Sequence, residues 1–198
     1  EYSTAPVTAD LSTGIADSDA RDRLSGFEGL IGSIFDDRLT GSTTDDLLVS
    51  GAGDDVLSGG AGADILDGGG GDDLLTGGVG TDAFLFSIGD GADIITDFNA
   101  AAGDRLFIHG YTAAVGMQQV GSDVVLTLTG GDRITLQNLT LAGVPAGTVV
   151  FNPEALPPEP AGTPLRAMMH TSTSVFVAAS ETLAFSDTVG ILMDSIGE

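Results

Sequence analysis

The chain has 198 residues, six basic side chains against 29 acidic ones, a formal net charge of −23 and no cysteine. That charge makes nucleic acid and anionic lipid poor partners and favours cations or basic surfaces. The missing cysteine excludes disulfide frameworks, thiolate zinc sites and thiol catalysis. No apolar run reaches the roughly 18 residues of a transmembrane helix, so the chain is not expected to be transmembrane. All six basic residues are Arg, and Asp outnumbers Glu 23 to 6. A surface that only needed solvation would use both acids freely. A bias to the shorter carboxylate fits turns and metal sites.

The chain opens EYSTAPVTADLSTG, with neither a basic n-region nor an apolar h-region, so no classical signal peptide is expected there. With no initiator Met, a processed chain or a piece of a longer one is expected. PVTADLSTG alternates Val7, Ala9 and Leu11 and reads as a strand ending in a turn. The apolar FEGLIGS leads directly into the segment that follows. Residues 1–31 are therefore expected to form an N-terminal β cap over an otherwise open sheet edge.

From Gly32 the chain repeats every nine residues: GSIFDDRLT, GSTTDDLLV, SGAGDDVLS, GGAGADILD, GGGGDDLLT and GGVGTDAFL, ending at Leu85. Slot six is always Asp: Asp37, Asp46, Asp55, Asp64, Asp73 and Asp82. Slot eight is always large and apolar: Leu39, Leu48, Leu57, Leu66, Leu75 and Phe84. A Gly/Asp-rich linker would not hold a large apolar residue in phase. The pattern resembles the RTX nonapeptide G-G-x-G-x-D-x-U-x, a repeat that implies a calcium-binding parallel β-helix. The match is close over Gly59–Leu85. It is looser before, where Ser33, Phe35, Ser42 and Thr44 occupy slots two and four and Ser50 opens the third repeat.

The same reading follows from the residues. Slot eight centres a short strand and the rest is turn. A turn that needs φ > 0 and close backbone approach needs Gly, so Gly51, Gly53, Gly60, Gly62, Gly69, Gly71, Gly78 and Gly80 are read as the backbone part of the metal sites. With two repeats per coil, Asp37, Asp55 and Asp73 stack along one side, and Asp46, Asp64 and Asp82 along the other. Carboxylates stacked about 4.8 Å apart repel. Calcium between the turns reverses that sign, because it takes about 6–8 oxygens from carboxylates and carbonyls. About four to six ions are expected on this logic. The strongest sites join Asp55 to Asp73 and Asp64 to Asp82, followed by Asp37 with Asp55 and Asp46 with Asp64. The slot-five residues Asp36, Asp45, Asp54 and Asp72 have two readings, direct ligands or hydrogen-bond acceptors that shape the turn.

Slots seven and nine point away from the core. On one sheet they are Arg38/Thr40, Val56/Ser58 and Leu74/Thr76; on the other, Leu47/Val49, Ile65/Asp67 and Ala83/Leu85. The second set is the more apolar, so that sheet is expected to be covered by the rest of the chain or by a partner.

FSIGDGADIITDFNAAAGDRLFI, residues 86–108, is similar to the closing segment of serralysin-like RTX domains. That resemblance makes Asp90, Asp93, Asp97 and Asp104 candidate ligands of a last calcium, Asp93 and Asp97 foremost; turn and capping chemistry is the other reading. DVVLTLTGGDRITL is expected to be a β-hairpin turning at Gly130-Gly131. With Thr148–Phe151 it suggests a small antiparallel sheet or sandwich on the roll. Residues 152–164 form a Pro-rich linker. Residues 165–198 are either a secretion signal of the kind type I exporters read in RTX proteins, or a docking segment.

The chain holds two histidines, His109 and His170, neither at metal-binding spacing, and no G-x-S-x-G elbow. No catalytic residue is assigned. The expected fold is all-β: a parallel β-roll, a two-sheet β-helix of nonapeptide repeats over 32–85, capped by an antiparallel β-hairpin or sandwich region over 86–151. The expected function is that of a calcium-binding module of a secreted or cell-surface bacterial protein. It would fold on calcium after export and serve a structural role or bind a protein or cell-surface partner. Two alternatives stand beside it: the C-terminal domain of a larger secreted hydrolase or toxin whose catalytic domain precedes residue 1, and an adhesive or surface-lattice component.

Overall fold

The computed structural model describes residues 5–16, 22–111, 116–152 and 176–179. The expectations for the linker after Asn152, His170 and most of the C-terminal tail fall outside the described residues. Almost every element is a strand. In chain order these are β1 (Thr8–Asp10), β2 (Ile15–Ala16), β3 (Asp22–Arg23), β4 (Phe27–Ile31), β5 (Arg38–Thr40), β6 (Leu47–Val49), β7 (Val56–Gly62), β8 (Ile65–Asp67) and β9 (Leu74–Gly80). They continue with β10 (Ala83–Phe86), β11 (Ala92–Ile95), β12 (Arg105–Ile108), β13 (Gly116–Val120), β14 (Asp123–Thr127), β15 (Arg133–Leu136), β16 (Val149–Phe151) and β17 (Phe176–Ala179).

Consecutive repeats alternate between two sheets, so the chain winds as a parallel β-roll. One sheet has the order β13-β14-β15-β11-β9-β7-β5-β1-β2-β3, and the other β16-β12-β10-β8-β6-β4-β17. The coil is 18 residues: Leu39 pairs with Leu57 and Leu57 with Leu75, while Leu48 pairs with Leu66 and Leu66 with Phe84. This is the register that two nine-residue repeats per coil require. The strands centred on slot eight are three residues long in β5, β6 and β8. In β7 and β9 pairing runs on through the glycines, with Gly60 opposite Gly78 and Gly62 opposite Gly80.

The slot-eight residues face each other between the sheets. Leu48, Leu66, Leu75 and Phe84 have no exposed surface, and Leu39 and Leu57 almost none. Each half-coil therefore contributes one large side chain to the core. The core widens downstream, where Phe84 meets Phe98 at a ring-centroid distance of 6.0 Å and Ile95, Leu106, Val124, Leu126, Ile134 and Leu136 join the same cluster.

The roll does not stop at Leu85. β11 pairs in parallel with β9, and β12 with β10. The expected hairpin is present as β14 antiparallel to β15. It extends the roll instead of stacking on it, because β15 pairs in parallel with β11. Residues 149–151 join the other sheet, beside β12. Both sheets thus grow by edge addition, which leaves fewer open strand edges than a separate layer would. At the other end β1 pairs in parallel with β5, and β4 with β6.

Most outward side chains of the second sheet are buried, as their apolar character suggested: Leu47, Ile65, Ala83 and Leu85 are, while Val49 and Asp67 are half-buried. Ile31, Leu47, Ile65, Ala83 and Leu85 form a cluster, with Val49 and Phe107 packed against it. On the first sheet, by contrast, Leu74 is exposed.

Leu66→Ala is expected to lower stability in calcium by about 2–5 kcal/mol, because it opens a cavity where a half-coil has its one core side chain. Leu74→Ala should cost about 0.5 kcal/mol or less. Denaturant titration of both variants measures the difference.

Candidate metal centre

The slot-six carboxylates form two columns, one along each edge of the roll. On the first edge the Asp37 amide donates to Asp55 Oδ1 (2.6 Å), the Asp55 amide to Asp73 Oδ1 (2.8 Å) and the Asp73 amide to Asp93 Oδ1 (3.0 Å). On the second the Asp46 amide donates to Asp64 Oδ1 (2.8 Å), the Asp64 amide to Asp82 Oδ1 (3.1 Å) and the Asp82 amide to Asp104 Oδ1 (3.0 Å). Each carboxylate thereby reads the backbone of the coil before it. All eight of these Asp side chains are buried.

The other carboxylate oxygen distinguishes one turn from the next. Oδ2 of Asp55, Asp64, Asp73 and Asp82 is buried and has no hydrogen-bond partner. A buried anionic oxygen without a donor is costly. These four belong to turns whose slot-two and slot-four residues are both Gly. All eight of those glycines have positive φ, from +74° to +155°. At Gly71 an added Cβ would also run into the carbonyl oxygen of Gly53 in the coil before. The turns thus bring carbonyls and carboxylates close together with no side chain between them. Among the described residues no three acidic or histidine side chains converge on one point. A cation here would be held by stacked carboxylates and backbone oxygens, a donor set that suits calcium. Calcium bound there would supply the positive charge that the buried oxygens lack.

The looser early turns are different. Ser33 donates its amide to Asp37 Oδ2 (2.5 Å) and its hydroxyl to Oδ1 (3.0 Å), and the Val7 amide also donates to Oδ1 (2.6 Å). Asp37 has no open oxygen. Ser42 gives its amide (2.6 Å) and hydroxyl (2.9 Å) to Asp46 Oδ2, leaving Oδ1 without a partner. Ser at slot two does not take the positive φ that Gly takes there, and its N–H faces the carboxylate.

The slot-five carboxylates act as acceptors between coils. Asp36 Oδ1 accepts the Asp54 amide, Asp54 Oδ1 the Asp72 amide and Asp72 Oδ1 the Ala92 amide, each at 3.0 Å. Asp45 Oδ1 accepts the Ala63 amide at 2.7 Å. Their direction is opposite to that of slot six: they read the coil after them, and they sit at the exposed surface.

The four closing aspartates are not brought together. Asp90 and Asp93 lie near Asp73, on the first edge, and Asp97 and Asp104 near Asp82, on the second. Asp97 accepts the amides of Gly77 (3.0 Å) and Gly78 (2.8 Å). Both oxygens of Asp104 are engaged, the second by the Asn99 amide at 2.8 Å. Asp90 accepts the Ser87 amide and has Asp67 and Asp132 as charged neighbours. Periodicity gave no reason to single out those two. Asp132 in turn accepts the Tyr111 hydroxyl.

Burial, with neighbouring carboxylates adding to it, raises the carboxyls far above their usual range: Asp55 and Asp82 to about 6, Asp64, Asp73 and Asp90 to about 7, and Asp93 to about 8. Burial raises Asp46 and Asp104 as well.

Two parallel sheets around an apolar ladder, with a carboxylate column along each edge, define a β-roll of the calcium-binding kind. The family model described as "RTX calcium-binding nonapeptide repeat (4 copies)" matches residues 31–66 and again 50–84. Residues 31–84 are an array of RTX calcium-binding nonapeptide repeats, a module that is structural and not catalytic by itself. No curated protein matches the chain. Among solved structures it is similar to the extracellular lipase LipA from Serratia marcescens, with 28% identity, a TM-score of 0.52, and 69% of this chain against 22% of the lipase. It is also similar to two subunits of the Azotobacter vinelandii mannuronan C5-epimerase. AlgE6R2 shows 29% identity, a TM-score of 0.50, and 64% of this chain against 94% of that one. AlgE6R3 shows 25% identity, a TM-score of 0.51, and 83% against 99%. The chain thus spans about a fifth of the lipase but nearly all of each epimerase subunit.

Two outcomes are expected. Asp64→Asn should reduce the number of calcium ions bound, whereas Asp37→Asn should not, since its oxygens already have donors; calorimetric titration counts both. In the metal-free roll, raised carboxyl pKa values mean that the fold favours the protonated acids. Their contribution to stability is complete below about pH 4 and is lost as pH rises through about 6 to 8. The metal-free β signal should therefore grow between about pH 8 and pH 5. Calcium affinity should fall over the same range, because protons compete for the same oxygens. Circular dichroism in calcium-free buffer and calcium titrations at several pH values would show the reverse trends if this picture is wrong.

Proposed function

We propose that this chain is a calcium-dependent folding module of a secreted or cell-surface bacterial protein. One observation carries the reading: four buried carboxylate oxygens, Oδ2 of Asp55, Asp64, Asp73 and Asp82, stand in glycine-built turns without a donor. Without calcium the columns repel. The single ladder of slot-eight side chains then does not offset the ordering cost of so many glycines, and the chain stays extended. With calcium the columns become attractive and the roll is stabilised by mass action. A chain that folds only where calcium is abundant suits export in an unfolded state. The extracellular lipase among the similar structures supports the same setting. On this reading residues 32–85 are the calcium-binding roll, 1–31 its N-terminal cap and 86–151 its closing region, where Asp90, Asp93, Asp97 and Asp104 continue the two edges.

A second reading rests on the lipase. The match takes in 69% of this chain and 22% of that protein, so the chain fits equally a calcium-binding part of a larger secreted hydrolase. Under both readings the module itself binds calcium and performs no chemistry.

Circular dichroism of the intact chain, recorded in calcium and again after EGTA, tests the shared claim. The β signal should be lost on chelation and return when calcium is restored. A spectrum indifferent to chelation would rule out calcium-coupled folding.

A further inference from the structure

The roll begins one half-coil earlier than the Asp repeat. β4 pairs in parallel with β6, with Leu30 opposite Leu48 and Gly29 opposite Leu47. Leu30 is 1% exposed and belongs to the same core ladder. Residues 23–31 are therefore a degenerate repeat placed 18 residues before Gly41–Val49. Gly26 falls at slot four with a φ of +73°, and Glu28 falls at slot six, opposite Asp46.

At this end the two edges differ. On the first edge the Val7 amide fills the place that an earlier slot-six amide would take, and Asp37 is saturated. On the second edge that place stays open. Asp46 is fully buried, and its Oδ1 has no hydrogen-bond partner. Oδ1 is the oxygen that in Asp64 and Asp82 accepts the slot-six amide of the coil before. In Asp46 the Ser42 amide and hydroxyl engage only Oδ2. Glu28 Oε2 is likewise buried and without a partner. Two acidic residues thus share one register position in neighbouring coils, each with an oxygen shielded from water and without a proton donor, and the Glu28 charge acts on Asp46. Like charges so placed repel strongly, and an unpaired buried charge is among the costlier features a fold can carry.

We infer that Glu28 and Asp46 hold a further calcium ion between the first two half-coils of the second edge. Glu28 lies outside the residues that match the repeat family, which begin at Ile31, whereas Asp46 lies within them. Glutamate takes the role of the repeat aspartate, and its extra methylene extends the carboxylate further from the strand. The ion would tie β4 to β6 and so anchor the N-terminal end of the second sheet. Ser33 and the Val7 amide do the equivalent work on the first edge without metal. The assignment rests on the calcium-binding reading of the roll.

Native mass spectrometry of the intact chain, titrated with calcium to saturation, counts the ions. Glu28→Gln keeps the shape and removes the charge, and should bind one ion fewer than the unmodified protein. Glu28→Lys carries its own cation to Asp46. It should also bind one ion fewer and keep its β spectrum, which separates loss of a ligand from loss of the fold. If either folded variant binds as many ions as the unmodified protein, the Glu28 site is overturned. Absence of calcium from the unmodified protein would instead overturn the calcium reading on which it rests.

Discussion

Everything in this fold depends on the stacking of buried carboxylates at the spacing of a β-coil. A slot-six Asp gives one oxygen to the amide of the coil before it, and that hydrogen bond holds the column in register. The same stacking sets like charges above one another in a protein interior, where Coulomb repulsion is poorly screened. On the proposed reading, the oxygens left over in Asp55, Asp64, Asp73 and Asp82 are the source of both the instability and the affinity for a divalent cation.

The rest of the half-coil follows from that constraint. A turn open enough to admit an ion has little room for side chains, and a Cβ at Gly71 would strike the carbonyl of the neighbouring coil. Glycine satisfies the geometry but raises the entropy lost on folding. Only slot eight remains to supply a core, and its six side chains are almost fully buried. The slot-five carboxylates add a second set of intercoil bonds at the surface, running in the opposite sense to slot six. A serine at slot two changes the balance. It turns its amide and hydroxyl onto the carboxylate, which with the Val7 amide saturates Asp37 but leaves Oδ1 of Asp46 without a partner.

Much of this was legible in the nine-residue period. Asp and Leu in fixed phase imply the coil, its two edges and the pairing of residues 18 apart, because a solenoid maps sequence period directly onto spatial stacking. The period fails where the chain departs from it. Asp93 follows Asp73 by 20 residues and Asp104 follows Asp82 by 22, yet both continue the columns. The loops before them absorb the excess, so a count by nines misses their place. Glu28 was hidden for another reason: its half-coil keeps only Gly26 and Leu30 of the pattern and has the longer acid at slot six. Counting back from Gly32 would have exposed those three positions.

The sequence alone therefore determined the winding, the identity of the core residues and the calcium chemistry, since each depends on residue type repeated at fixed spacing. The tertiary structure decided which carboxylates are already satisfied. Asp37 and Asp64 occupy the same slot, and only the surrounding donors, Ser33 and Val7 for one and none for the second oxygen of the other, separate a closed turn from an open one. It also decided that the hairpin and residues 149–151 extend the roll's own sheets. Strand order and hydrogen-bond saturation arise between segments far apart in the chain, and local spacing does not encode them.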